Sequence, residues 1–233
     1  MRLHVVEAGD GTRTAVLVHG LMSDHGGWCR VAPVLVGRGY RVLMPDLRGH
    51  GLSPRGHYTP QAWADDLVES VPAGVELAIG HSLGGMSLAL AAARLNPKRA
   101  VYVDPAWQLT PEQHRRSGAD FHAQIHWDET QLRKARPRWS DDDIAARMAS
   151  VARFDPSCIE GLLPGGGHDH APTAPATKSL VMLADPSDLV PPPDAEALRR
   201  AGFDVASVAG SGHSIFRDDL EGFLAALDDW LRD

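Results

Sequence analysis

Short apolar runs alternate with longer amphipathic stretches along most of the chain. Residues 41–44, 75–79, 100–103, 180–183 and 203–208 are dominated by Val, Leu, Ile, Met and Ala. Such near-continuous apolar runs between helical stretches predict a parallel sheet buried on both faces. Two further runs, 3–8 and 14–18, flank Asp10-Gly11. That dipeptide is a turn signal, and the opening therefore reads as a β-hairpin.

The helical stretches carry start and stop marks. Residues 83–95 are rich in Ala and Leu and end at Asn96-Pro97, where proline cannot continue a helix. Thr59-Pro60 reads as an N-cap followed by proline at the first helical position. Leu220, Phe223, Leu224, Leu227 and Leu231 recur at helical spacing, which predicts one apolar face toward the sheet.

Residues 106–177 break this rhythm and predict a helical cap inserted into a single α/β domain spanning 1–233. Thr110-Pro111-Glu112-Gln113 has the form of a capping box, and Ser140-Asp141-Asp142-Asp143 is a second acidic helix start. Gly165-Gly166-Gly167-His168-Asp169-His170 and the Pro-rich residues up to Pro175 read as a loop. The segment holds Trp107, Trp127 and Trp139, half of the chain's 6 tryptophans. No internal repeat is present.

Composition narrows the possible roles. A chain of 233 residues with 43% hydrophobic content can build one substantial core. A formal charge of −7 and scattered basic residues argue against nucleic acid as a partner. The N-terminal sequence lacks the apolar core of a secretory signal, and no run approaches the ~20 apolar residues that span a bilayer. Cys29 and Cys158 offer one bridge at most and are each expected as a free buried thiol. A cytoplasmic protein without a membrane partner is the expectation.

The chemistry concentrates in a few loops that follow apolar runs. Gly80-His81-Ser82-Leu83-Gly84 lies between the 75–79 strand and the 83–95 helix. Strand, tight turn, helix is the setting of a nucleophile elbow, with glycines where a Cβ would collide with backbone. Ser82 is therefore the candidate nucleophile. Acyl transfer also needs two donors for an oxyanion: the amide of Leu83 and one from His19-Gly20-Leu21-Met22, with Leu21 first and Met22 the alternate. Gly210-Ser211-Gly212-His213-Ser214 follows the last strand and precedes the final helix, which makes His213 the candidate base. An aspartate beyond the 180–183 strand would orient it: Asp188 is the first choice and Asp185 stays open.

These motifs resemble the α/β-hydrolase superfamily across essentially the whole chain, closest in look to small bacterial esterases and lactonases. Pro45-Asp46-Leu47-Arg48-Gly49-His50-Gly51-Leu52-Ser53, and Val103-Asp104-Pro105 leading into the cap, add to the likeness. The resemblance implies a mostly parallel sheet flanked by helices, a triad of Ser82, Asp188 and His213, and no cofactor. One departure bears on the acid: Asp185 stands where the family often has glycine.

The expected activity is cleavage of a carboxylic ester, thioester or lactone through an acyl-enzyme. Alternatives with the same triad are a cofactor-free haloperoxidase-type reaction and C–C bond hydrolysis or lysis. A slow-turnover ligand-binding protein is the reading from another class. Met22, Trp28, Trp107, Trp127 and Trp139 are expected to line a site for a small molecule with an apolar part. Phe121 joins the aromatic residues of the cap. His168-Asp169-His170 lacks a further ligand at metal spacing, His122 and His126 lack the glutamate of a zinc-protease motif, and no metal is expected. Asp46 and Arg48 are expected to brace their loop.

Overall fold

A computed structural model describes residues 1–162 and 167–232. Its strands are β1 (Val5–Ala8), β2 (Arg13–Val18), β3 (Tyr40–Pro45), β4 (Leu77–His81), β5 (Arg99–Val103), β6 (Gln108–Leu109), β7 (His168–Asp169), β8 (Lys178–Asp185) and β9 (Asp204–Ala209). Its α-helices are α1 (Val31–Gly37), α2 (Pro60–Ser70), α3 (Leu83–Leu95), α4 (Pro111–Gln124), α5 (Glu129–Ala135), α6 (Asp141–Val151), α7 (Ser157–Leu162), α8 (Pro192–Arg200), α9 (Ile215–Asp218) and α10 (Leu220–Arg232).

Seven strands form one sheet in the order β1-β3-β2-β4-β5-β8-β9. Only β1 runs antiparallel, against β3. The others pair in parallel, as their apolar character predicts. The expected opening hairpin does not form. β2 pairs with β3 and β4 instead, because Ala15, Val16, Leu17 and Val18 are all buried and belong inside the sheet.

Helices cover both faces. Leu35, Ile79, Phe223, Leu227 and Trp230 share one core, where α1 and α10 pack. Trp63, Leu88, Tyr102, Trp107 and Phe154 share the other, where α2 and α3 meet residues of the cap. No helix among the described residues is long and apolar enough to cross a membrane.

The helix starts follow their sequence marks. Thr59 Oγ1 accepts from the Ala62 amide, and Thr110 with Gln113 and Ser140 with Asp143 form capping boxes. Among the described residues, four helices, α4 to α7, lie between β5 and β8, in the stretch where the cap was expected. Gly165 and Gly166 lie outside the described residues. Further along the same stretch, His168–Asp169 pairs with Gln108–Leu109 rather than remaining loop.

Candidate active site

Ser82 sits where β4 turns into α3, with φ 53° and ψ −116°. A non-glycine residue in this region is strained and persists only where its surroundings hold it. The hold is visible: the Ser82 amide donates to the Val103 carbonyl, and the Ser82 carbonyl accepts from Met86 and Ala106. Glycine is required beside it. A Cβ on Gly80 would lie 2.5 Å from the Gly84 carbonyl oxygen, and one on Gly84 2.3 Å from that of Val18.

The oxyanion loop is fixed from both sides. His19 Nδ1 lies 2.8 Å from the Gly20 carbonyl oxygen, and His19 Nε2 accepts from the Leu47 amide. That arrangement requires the neutral ring, and burial lowers the His19 pKa accordingly. On the cap side, the Met22 carbonyl accepts from Arg147 Nη1 at 2.7 Å and Ser150 Oγ at 3.0 Å. Met22 itself has φ 59° and is fully buried. Leu21 lines the main cavity beside Ser82, and Leu83 opens α3, where first-turn amides lack intrahelical acceptors.

His213 is held by two contacts. His81 Nε2 lies 2.9 Å from the His213 carbonyl oxygen, and burial keeps the His81 pKa well below 6.5. His213 Nδ1 lies 2.7 Å from Oδ2 of Asp104. The carboxylate against the candidate base is thus Asp104, and neither Asp188 nor Asp185 occupies that position. Asp104 is 1% exposed and has φ 40°. Its Oδ1 accepts from Ser187 Oγ at 2.7 Å and from the Ala184 amide at 3.3 Å. Sheet order explains why Asp104 reaches His213. β5 lies between the Ser82 strand and β8, so the turn after β5 projects its carboxylate over the end of β8 toward the His213 loop.

Asp188 and Asp185 lie elsewhere. Asp188 is exposed, lines both cavities, and accepts from Gln113 Nε2 through its backbone carbonyl. Asp185 is exposed, and its backbone pairs with Ser211 and Gly210. The one signal for Asp104 in the sequence was its place directly after an apolar strand.

Ser82 and His213 together line two cavities, of about 430 and 270 Å³. No hydrogen bond joins Ser82 Oγ to His213 in this geometry; such contacts commonly tighten when substrate seats. The larger cavity is walled by Phe121, Leu132, Trp139 and three arginines, Arg136, Arg138 and Arg147. The smaller includes Leu109, Gln113, Arg116, Phe121 and Leu162.

The expected aromatic lining is only partly present. Trp139 lines the larger cavity and donates through Nε1 to Asp218. Trp28 stacks on Phe216 with centroids 4.4 Å apart, and borders only a small neighbouring recess. Trp107 is a core residue donating to the Gly85 carbonyl, and Trp127 packs with Leu132, Trp139 and Ile144 inside the cap. Met22 lines neither cavity; its apolar bulk fills the core. Large apolar side chains serve packing and lining alike, so type alone did not separate them. Asp46 does brace its loop, accepting from the His25 and Leu52 amides, and Arg48 pairs with Asp66.

Comparison with known proteins identifies the family and the fold. The family model described as "Alpha/beta hydrolase family" matches residues 15–226. The N-formylmaleamate deformylase of Pseudomonas putida is 29% identical, over 99% of this chain and 93% of that protein. An E-2-(acetamidomethylene)succinate hydrolase superposes with TM-score 0.80 at 23% identity, covering 99% and 95% of the two chains. An esterase of Exiguobacterium antarcticum superposes with TM-score 0.79 at 17% identity, covering 99% and 96%. The chain belongs to the alpha/beta hydrolase family and is a hydrolase enzyme.

Proposed function

We propose that this hydrolase cleaves a carboxylic ester, thioester or lactone through an acyl-enzyme on Ser82. The observation that carries the reading is the Asp104–His213 pair, 2.7 Å apart, with His213 lining both cavities that Ser82 also lines. Ser82 Oγ attacks the carbonyl carbon and passes its proton to His213 Nε2. Asp104 holds the ring with Nδ1–H toward itself and favours the charged form that results. The Leu83 and Leu21 amides receive the oxyanion. His213 then returns the proton to the leaving group as the tetrahedral intermediate collapses. Water, deprotonated by His213, repeats the attack and frees the acid and Ser82.

A second reading, cleavage of an N-acyl bond by the same steps, is favoured by one observation. A relative that aligns with nearly the whole chain is named for deformylation of N-formylmaleamate.

The test is p-nitrophenyl acetate turnover together with intact-mass analysis after a fluorophosphonate. One adduct per chain, located on Ser82 and absent in Ser82→Ala, is the expected result. Turnover that survives complete labelling of Ser82 would refute the reading.

A further inference from the structure

The larger cavity carries charge that the proposed acyl chemistry does not use. Arg136, Arg138 and Arg147 line it, and none forms an ion pair with a carboxylate among the described residues. Two carboxylates, Asp188 and Asp218, also line it. Asp218 is already engaged: Trp139 Nε1 and the Gly212 amide each donate to it. Three guanidinium groups against two carboxylates leave a positive excess in a protein of net charge −7.

Arg147 is the central group. It is 9% exposed, on α6, within the cavity wall. Nη1 donates to the Met22 carbonyl at 2.7 Å, but Nη2 reaches only Met22 Sδ at 3.5 Å and Gln124 Oε1 at 3.4 Å. A guanidinium offers five N–H donors, and a buried one is costly unless an anion or good acceptors meet it. Burial, then the like charges of Arg217 and Arg136, lower its pKa to about 9, which still leaves it charged at neutral pH. Arg136 sits beside it on the same wall, half-buried, its guanidinium 5.8 Å from the Trp139 ring.

Resting on the serine-hydrolase reading above, we propose that Arg147, assisted by Arg136, binds a carboxylate of the substrate. The substrate class is then the half-ester, or N-acyl half-amide, of a short dicarboxylic acid. A carboxylate accepts two parallel N–H bonds from a guanidinium fork. A carboxylate places one negative charge at a wall that includes Asp188 and Asp218, whereas a phosphate dianion would concentrate two there. The volume of about 430 Å³ takes a chain of several carbons between Ser82 and that wall.

The experiment has a binding arm and a turnover arm. Glutarate binding is measured by calorimetry on Ser82→Ala, and again with Arg147→Met or Arg136→Gln added. In the enzyme with Ser82, kcat/KM is compared for p-nitrophenyl hydrogen glutarate and the neutral p-nitrophenyl pentanoate. Glutarate should bind Ser82→Ala, and Arg147→Met should weaken it about 10- to 100-fold, the scale of a lost hydrogen bond to a charged group. Arg136→Gln should weaken it by a smaller factor. The charged-to-neutral kcat/KM ratio should fall in parallel.

Arg147→Met also frees the Met22 carbonyl, so kcat on both esters falls, and the ratio isolates the charge. An unchanged ratio in both variants would mean that Arg147 only anchors Met22, and would overturn the proposal. So would failure of glutarate to bind, or inorganic phosphate binding as tightly. Glutarate binding without turnover of either ester would keep the subsite and refute the serine-hydrolase reading instead.

Discussion

His213 Nδ1 lies 2.7 Å from Asp104 Oδ2, a contact that bridges 109 positions of sequence and two loops at the same end of the sheet. It places the supporting carboxylate immediately after the strand beside the Ser82 strand. Asp104 is also held by Ser187 Oγ and the Ala184 amide, so its orientation is set from the β8 side as well. Asp104→Asn should lower kcat by about 10³–10⁴, the scale seen when a triad carboxylate loses its charge. Asp188→Asn, altering an exposed residue, should cost less than about tenfold on a neutral ester. Measuring both on p-nitrophenyl acetate checks this; a crippled Asp188→Asn beside an active Asp104→Asn would reverse the assignment.

Three buried histidines around the site predict a specific acid sensitivity. Burial lowers the pKa values of His19, His50 and His81 from 6.5, that of His50 to about 3. Their stabilising contribution is complete above pH 6.5, where both folded and unfolded rings are neutral. Below it the unfolded chain takes up protons that the folded chain refuses, so stability declines as pH falls, for His50 down to about 3. Each ring contributes up to about 1.4 kcal/mol per pH unit in that window. Calorimetric Tm should therefore drop steadily from pH 6.5 to 5. A flat Tm across that interval would contradict the buried neutral assignment.

Trp139 and Trp107 should fail differently. Trp139 lines the larger cavity, and Arg217 lies 4.5 Å over its ring. Trp139→Ala should raise KM and change chain-length preference more than it lowers kcat on acetate esters. Trp107 is buried against Tyr102 and Phe203. Trp107→Ala should cost about 3–5 kcal/mol of stability, the usual range for emptying a large aromatic site. Denaturant unfolding of both variants beside kinetics on a graded ester series separates the roles.

Features set by neighbouring residues were legible in the sequence. Thr59, Thr110 and Ser140 cap the helices they were expected to start, because a cap depends on residues within one turn. The elbow was legible in part for the same reason: a Cβ on Gly80 would meet Gly84 within the turn itself, although Gly84 answers to the Val18 carbonyl of the neighbouring strand. Features set by sheet order were not. Asp10-Gly11 looked like a hairpin turn, yet the four buried residues of β2 required neighbours on both sides. Asp104, followed by Pro105, looked like an entrance to the cap, and only the position of β5 between β4 and β8 brings it to His213. Arg147 was equally hidden, since its partner, the Met22 carbonyl, lies 125 residues away.

The most direct test of the central claim is kcat for Ser82→Ala on an ester that the enzyme accepts, with folding verified by circular dichroism and Tm. Loss of the nucleophile should reduce kcat by about 10⁴–10⁶ with the fold intact, leaving only what binding and the oxyanion donors supply. A folded Ser82→Ala that retained wild-type kcat on that ester would contradict the account.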